Sequence, residues 1–221
     1  HIMLDQSRSQ IAIDKYDVEE QNLIKIDLLC NRGLSQLWEL DNRPVSEYPI
    51  DDKLASEVLC KGDILGLTQS ESPTMRKTVM ALQPKNVYDM ALALALIRPA
   101  AADGGRKAAY FRGGGKGKRQ IITDEDAIEY ISDSIGCSMD FADRYRRGWS
   151  KQDPQVINEF MGRLKRKQGG TEQANILKEL KHSPKYSYCR GHALSYGQLV
   201  WALAYWKARE PQKFWKATLK H

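Results

Sequence analysis

Asp27 stands inside an apolar run, Leu23-Ile24-Lys25-Ile26-Asp27-Leu28-Leu29. Burying an unpaired carboxylate there is costly, so a metal or a basic neighbour is expected beside it. Lys25, two residues earlier, projects to the same face of a strand. From spacing alone the two read first as a structural Lys–Asp pair at a strand edge, with a metal-holding carboxylate as the alternative. A second constellation is Asp143-Arg144-Tyr145-Arg146-Arg147. Two adjacent guanidinium groups can grip a triphosphate bidentately, which lysines cannot, and the plainer reading is a solvated helix face. Arg98 falls at the end of a helical stretch, where the helix dipole favours a cation in any case. The run Gly113-Gly114-Gly115-Lys116-Gly117-Lys118-Arg119 lacks the closing Lys-Ser/Thr and the strand–loop–helix setting of a P-loop. Disorder or loose contact with a phosphate backbone suits it better. His192 is read as an interior histidine with a structural hydrogen-bonding role.

These residues need elements to hold them. Gln10-Ile11-Ala12-Ile13 and Leu23–Leu29 read as strands, the second partly buried, with the polar stretch from Asp14 to Glu20 as a turn between them. From Asn31 to Leu40 one helical face carries Leu34, Leu37 and Trp38. Beyond residue 50 the pattern is mostly helical. Ser72-Pro73 supplies a cap and a first-turn proline, and Gln83-Pro84 opens a helix that Arg98-Pro99 ends. Ala100 to Arg119 is irregular. A brief strand at Gln120-Ile121-Ile122 leads into Thr123-Asp124-Glu125-Asp126, a capping-box start for a helix that Gly136 stops. Ser138 and Asp153-Pro154 open the next two, Gln168-Gly169-Gly170 breaks the second, and helices follow near 171–181, from Tyr196 to Arg209 and after Pro211. Tyr196, Val200, Leu203, Tyr205 and Trp206 lie at helical spacing and read as core before they read as a base-stacking platform. The expected fold class is mainly α with a small β portion, an α+β chain.

The chain has 221 residues, 34 Lys+Arg against 28 Asp+Glu, and a formal charge of +6. That balance favours a polyanionic partner such as nucleic acid. Cys30, Cys60, Cys137 and Cys189 are far apart and lack metal-ligand spacing, so reduced thiols with no disulfide and no structural zinc are expected. No apolar run approaches the roughly 20 residues that cross a bilayer, and no signal-peptide pattern opens the chain. A soluble, cytoplasmic protein is expected. His1-Ile2-Met3 has the look of an expression scar, which suggests a piece cut from a longer chain.

A resemblance to a known family runs in order along nearly the whole sequence. Ile13-Asp14-Lys15-Tyr16-Asp17-Val18-Glu19 with Leu23–Leu29 resembles the palm segment of the alpha subunit of bacterial DNA polymerase III, the C-family replicases. Thr68-Gln69-Ser70-Glu71-Ser72 is similar to that family's Phe-Gln-Leu-Glu-Ser stretch, and Tyr88-Asp89-Met90-Ala91-Leu92 to Arg98-Pro99 resembles its segment ending in Arg-Pro-Gly-Pro. Ala142-Asp143-Arg144-Tyr145-Arg146-Arg147 is similar to Ala-Asp-x-x-Arg-Arg. Tyr188-Cys189-Arg190-Gly191-His192-Ala193 is similar to Phe-Asn-Lys-Ser-His-Ala, and Tyr205-Trp206-Lys207-Ala208 to Trp-Leu-Lys-Ala-His. Departures are Ala100-Ala101 after Arg98-Pro99, Thr123-Asp124-Glu125-Asp126 in place of Tyr-Gln-Glu-Gln, and a shorter segment between them. They suggest a divergent lineage, such as a phage-encoded one.

The resemblance implies residues 1–30 as the C-terminal sliver of a palm, with one or two strands, and 31–221 as a helical fingers domain. It implies a DNA-directed DNA polymerase that uses Mg²⁺ to join dNTP to a primer 3′-hydroxyl. Two-metal phosphoryl transfer needs carboxylates on a rigid element around ions about 3.5–4 Å apart. Asp27 would be one metal-holding catalytic carboxylate, with Lys25 beside it. Arg146, Arg147 and Arg98 would bind the nucleotide, and Lys116, Lys118, Arg119 and Arg190 the DNA. The palm's Asp-x-Asp has no counterpart before Asp27 and is expected upstream, so the isolated chain is expected to be inactive. The partners implied are primer-template DNA, dNTP, and the remaining palm and thumb of the same polymerase chain. Two other classes stay open: a stand-alone, non-catalytic nucleic-acid-binding module derived from such a polymerase, and a helical interaction domain whose basic excess serves solubility.

Overall fold

A computed structural model describes residues 4–5, 10–11, 14–24, 26, 29–98, 106–112, 121–181 and 188–221. The chain forms two compact units, His1–Asn31 and Arg32–His221. The smaller unit holds β1 (Leu4–Asp5) and β2 (Gln10–Ile11), paired antiparallel, and the helix α1 (Lys15–Glu20). The polar stretch expected as a turn is this helix. Asp14 and Asp17 close a reciprocal capping box, each side chain accepting from the other's backbone N–H, which lets six polar residues form a helix. In the segment expected as a strand, Leu23, Ile24, Ile26 and Leu29 are exposed and carry no strand pairing. Lys25 and Asp27 lie outside the described residues. Among the described residues the β portion is therefore this two-residue pair and two isolated bridges, Asp51 with Asn86 and Thr123 with Tyr188.

The larger unit is helical and contains two hydrophobic cores. The first is built from α2 (Arg32–Leu40), a 3-10 turn at Val45–Glu47, α3 (Lys53–Cys60), α4 (Pro73–Leu82), α5 (Val87–Leu96), α11 (Arg190–Arg209) and α12 (Pro211–Lys220). Helix α11 packs most extensively on α5, and also on α3 and α2. The close approach needs Gly197: a Cβ there would sit 3.0 Å from the Ala91 backbone N and 3.1 Å from Val87 O. Both helices bury residues around most of their circumference, which is how an all-round apolar helix avoids water. Trp201, wholly buried, is the largest side chain of this core.

The second core is built from α7 (Asp124–Ile135), α8 (Met139–Lys151), α9 (Pro154–Lys167) and α10 (Gly170–Lys181), around Ile131, Tyr145, Phe160 and Leu164. Its boundaries follow local chemistry. Thr123 and Asp126 form the expected capping box, Gly136 stops α7 at a left-handed φ of +64°, and Asp153 caps α9 ahead of Pro154. Two expectations shift. The helix expected from Gln83-Pro84 starts at Val87, because Asn86 supplies the cap. Within the stretch expected to be irregular, α6 (Arg106–Arg112) forms, and Lys107 Nζ donates to Thr78 Oγ1 of α4 at 2.5 Å.

Every extensively packed helix pair falls within one core or the other. They meet at a narrow seam. Ile121 is buried in the second core and its neighbour Ile122 in the first, the two-sided alternation of an extended segment. Thr123 then forms a single parallel bridge with Tyr188. The strand expected at 120–122 is not formed at Ile121 and Ile122, which pair with no strand; the bridge falls at the next residue, and Gln120 lies outside the described residues. Among the described residues no helix is long and apolar enough to cross a membrane.

Candidate functional site

Four of the residues singled out for chemistry, Arg98, Arg146, Arg147 and Arg190, lie along that seam, around Tyr188. Its ring lies 4.2 Å beneath the Arg98 guanidinium, a cation–π arrangement. Arg98 follows α5 by two residues and also reaches Gln69 Oε1 at 3.5 Å, a long contact. Gln69 itself holds a left-handed φ of +60°. Two polar atoms here, Arg98 Nε and Tyr188 Oη, are buried and without a hydrogen-bond partner among the described residues. Such groups are costly to leave without a partner.

From Tyr188 a ladder of rings runs up α11. His192 meets Tyr188 edge-on at 5.2 Å between centroids and Tyr196 at 4.8 Å. The spacing of four residues stacks them on one helix face. His192 is exposed, which corrects its reading as an interior histidine. Tyr196, Tyr205 and Trp206 are half-buried, whereas Val200 and Leu203 are fully buried, so the aliphatic members of the stripe are core and its aromatic members pack at the core's edge.

On the other side of the seam the N-terminus of α7 gathers charge. The Asp124 N–H donates to Tyr188 O at 3.3 Å, and its carboxylate accepts from Arg146 Nη1 at 3.0 Å. Arg146 also donates through Nε to Asp143 Oδ1 at 2.9 Å, while Arg147 Nε donates to Asp143 Oδ2 at 2.6 Å. Burial alone would raise the Asp143 carboxyl, but the two guanidinium donors outweigh it and hold the group below the ordinary carboxylate range. The two arginines differ in access: the Arg146 side chain is 19% exposed and that of Arg147 is 67% exposed. Arg146 is committed to carboxylates on two helices, and Arg147 presents most of its fork to solvent.

Arg190, at the start of α11, sits among three acidic residues of α7. Its Nη2 donates to Asp126 Oδ1 at 2.7 Å and its Nη1 to Glu129 Oε1 at 2.9 Å. Its backbone N–H donates to Glu125 Oε2 at 2.7 Å. Burial pushes the Asp126 carboxyl up, yet donors from Thr123, Ile122 and Arg190 outweigh it and the group is held below its ordinary value. Sequence reasoning singled out Arg190 but missed the three acids. The capping-box relation of Asp126 to Thr123 was visible, whereas the meeting of these acids with a residue more than sixty positions away was not.

A cavity of about 440 Å³ opens beside the Asp126–Arg190 pair, with Tyr88 and Leu92 of α5, Tyr110 of α6 and Leu194 of α11 in its wall. Among the described residues no group of three or more His, Cys, Asp and Glu side chains is placed to hold a metal ion. Asp27, Lys25, Lys116, Lys118 and Arg119 lie outside the described residues. The structure therefore brings together Arg98, Arg146, Arg147 and Arg190 around one seam.

Comparison with known proteins bears on the family of the chain. A family model described as the bacterial DNA polymerase III alpha subunit finger domain matches residues 35–170. An error-prone DNA polymerase of Bordetella parapertussis is 25% identical over 250 aligned positions, covering 96% of this chain and 23% of that protein. The DNA polymerase III subunit alpha of Thermotoga maritima is 25% identical over 215 positions, covering 92% of this chain and 25% of that protein. An error-prone DNA polymerase of Brucella suis is 24% identical over 260 positions. The chain spans about a quarter of the length of these relatives. With more than half of its residues matched by that one model, the chain belongs to the family of the bacterial DNA polymerase III alpha subunit finger domain.

Proposed function

We propose that this chain is the fingers portion, with the end of the palm in residues 1–30, of a DNA-directed DNA polymerase. The complete enzyme would join dNTP to a primer 3′-hydroxyl on a DNA template. One observation carries the reading beyond family membership: three segments far apart in sequence, at Gln69, Arg98 and Tyr188–His192, converge on one place. That place combines a cation, aromatic edges and two buried polar atoms that have no hydrogen-bond partner among the described residues. A nucleoside triphosphate has the matching parts, since its phosphates accept from guanidinium groups and its base offers a π-face for the ladder.

Arg147, the more exposed of the pair, is then the residue that reaches phosphate. Arg146, anchored on Asp124 and Asp143, fixes the helix that presents it. Lys116, Lys118 and Arg119 would track the DNA backbone, a sequence-independent contact weakened by salt. The Mg²⁺ of this chemistry would neutralise charge on the transferring phosphates. The described residues do not form its site, which this reading assigns to Asp27, with Lys25 beside it, and to further palm carboxylates.

The test is steady-state primer extension by the complete polymerase. Asp27→Asn removes the charge and keeps the shape, so turnover collapses while primer-template binding persists. Near-normal turnover would make Asp27 structural. Arg147→Ala removes a contact worth about 1.5–3 kcal/mol, so the KM for dNTP rises about ten- to a hundredfold, with lysine rescuing only in part. Unchanged dNTP KM with weaker binding to DNA of any sequence would move the helix to the DNA backbone. The 221-residue chain alone shows no extension and binds primer-template DNA weakly, with affinity falling steeply as salt rises.

A further inference from the structure

We propose that Arg190 is a positioning residue, a clasp that holds the second core against the first, rather than a contact for DNA. Between the cores the described residues offer little else. The extensively packed helix pairs all lie within one core or the other. The rest of the seam is the Thr123–Tyr188 bridge, the Asp124 N–H to Tyr188 O bond, a Cys189 Sγ–H contact to Glu125 Oε1 at 3.3 Å and the Ile122 side chain packed into the first core. Across it Arg190 makes charge-assisted bonds to Asp126 and Glu129 at 2.7 and 2.9 Å, and its N–H bonds to Glu125. Both ends of the clasp are stiff. Asp126 is fixed by accepting from the Ile122 and Thr123 N–H groups at 3.0 and 2.7 Å, and Arg190 begins the long buried helix α11. A guanidinium fork held by carboxylates one helical turn apart sets an angle as well as a distance.

The consequence follows from what each core carries. Arg98 and the Tyr188–His192–Tyr196 ladder belong to the first core, Arg146 and Arg147 to the second. The clasp therefore sets the separation between the ring ladder and the exposed Arg147 fork. That positioning role toward a nucleotide rests on the proposed polymerase reading; the clasp itself does not.

Amide exchange in the 221-residue chain, followed by NMR without any ligand, tests it. Arg190→Met keeps the stem and removes the fork, and Glu129→Gln is a milder second variant that leaves the Asp126 cap untouched. Each is expected to raise exchange at the Asp124 amide and at the residue-190 amide by about tenfold or more, equivalent to about 1.4 kcal/mol of opening. Amides of Leu94, Val200, Phe160 and Leu164, inside the two cores, stay protected. Arg190→Lys restores part of the protection, because an ammonium cannot span both carboxylates. Unchanged seam exchange in both variants would overturn the clasp, as would an equal rise at every amide. A second readout separates it from direct DNA contact: the clasp predicts that Arg190→Met and Glu129→Gln shift affinity for a primer-template duplex in the same direction. Weakening by Arg190→Met with tightening by Glu129→Gln would assign the guanidinium to DNA. Because seam exchange is read without DNA, its failure would leave the polymerase reading untouched.

Discussion

In the first core α5 and α11 bury residues on most sides, and a buried ammonium, Lys207, is used on loop backbone: it donates to Asp63 O and Leu65 O at 3.0 and 2.8 Å, and to Asp63 Oδ1 at 2.6 Å. In the second core the helices bury one stripe and line the other side with arginines and acids, Arg144 and Arg163 on Glu159, Arg146 and Arg147 on Asp143. The first core is a scaffold in which Lys207 is turned inward to serve the fold, while others of its cations, such as Lys61 and Lys220, are exposed. The second, the carrier, holds its arginines beside acids on the same or a neighbouring helix, with Arg147 the most open of them. Such partners matter because unscreened arginines on one helix repel one another.

The contrast can be broken first at Trp201. Trp201→Ala empties the centre of the scaffold and is expected to cost about 3–5 kcal/mol. Native-state exchange then shows α5 and α11 losing protection well before α8 and α9. Equal loss in all four would mean that the cores unfold as one unit. Lys207→Met leaves two loop carbonyls and the Asp63 carboxylate without their donor, at a cost of about 3 kcal/mol, and proteolysis in the 61–67 loop reports it. A lysine that served only the surface would be silent to this change. In the carrier the corresponding wedge is Gly148→Ala. Its methyl group would overlap the Val156 side chain, forcing α8 and α9 apart at a cost of about 1–3 kcal/mol. That loss should stay within 121–181, and spread into α5 would contradict the separation of cores.

How much of this was legible in the sequence follows from how local each cause is. Helix starts at Pro73, Asp124, Met139 and Pro154 could be read because Ser72, Thr123, Ser138 and Asp153 act on N–H groups two or three residues away. Helix α1 was missed although its Asp14–Asp17 box is equally local, because its polar composition hid the helix. The two arginines of α8 could be found by type, but not the fact that one is anchored and the other open. That difference depends on Asp124, which is brought to Arg146 by packing across 22 positions. Arg190 illustrates the same limit. Its charge suggested a polyanion, and only the fold reveals three acids already beside it.

The finest difference between scaffold and carrier concerns a single proton on Tyr145. Its ring is buried against Phe160, and its Oη donates to Glu159 Oε1 at 2.6 Å, the carboxylate that also accepts from Arg144. Burial first, then that hydrogen bond, push the phenol up to about 12. A raised value means that the neutral phenol is the form the folded state prefers. Its stabilisation is complete below the unfolded value near 10 and is lost as pH rises toward about 12. Tyr145→Phe keeps the ring and removes the donor, so at pH 7 it is expected to cost about 1 kcal/mol, a modest figure because Glu159 is partly exposed. Urea unfolding of both proteins at pH 7, 9 and 11 gives the check. The gap between them should hold from 7 to 9 and narrow at 11, where the wild-type phenol begins to ionise and phenylalanine cannot. Other groups that titrate in that range, the lysines above all, are common to both proteins and cancel in the difference. A gap that stays constant to pH 11 would mean that Tyr145 contributes its ring alone, and that α8 and α9 are held together by packing in the same way as the scaffold.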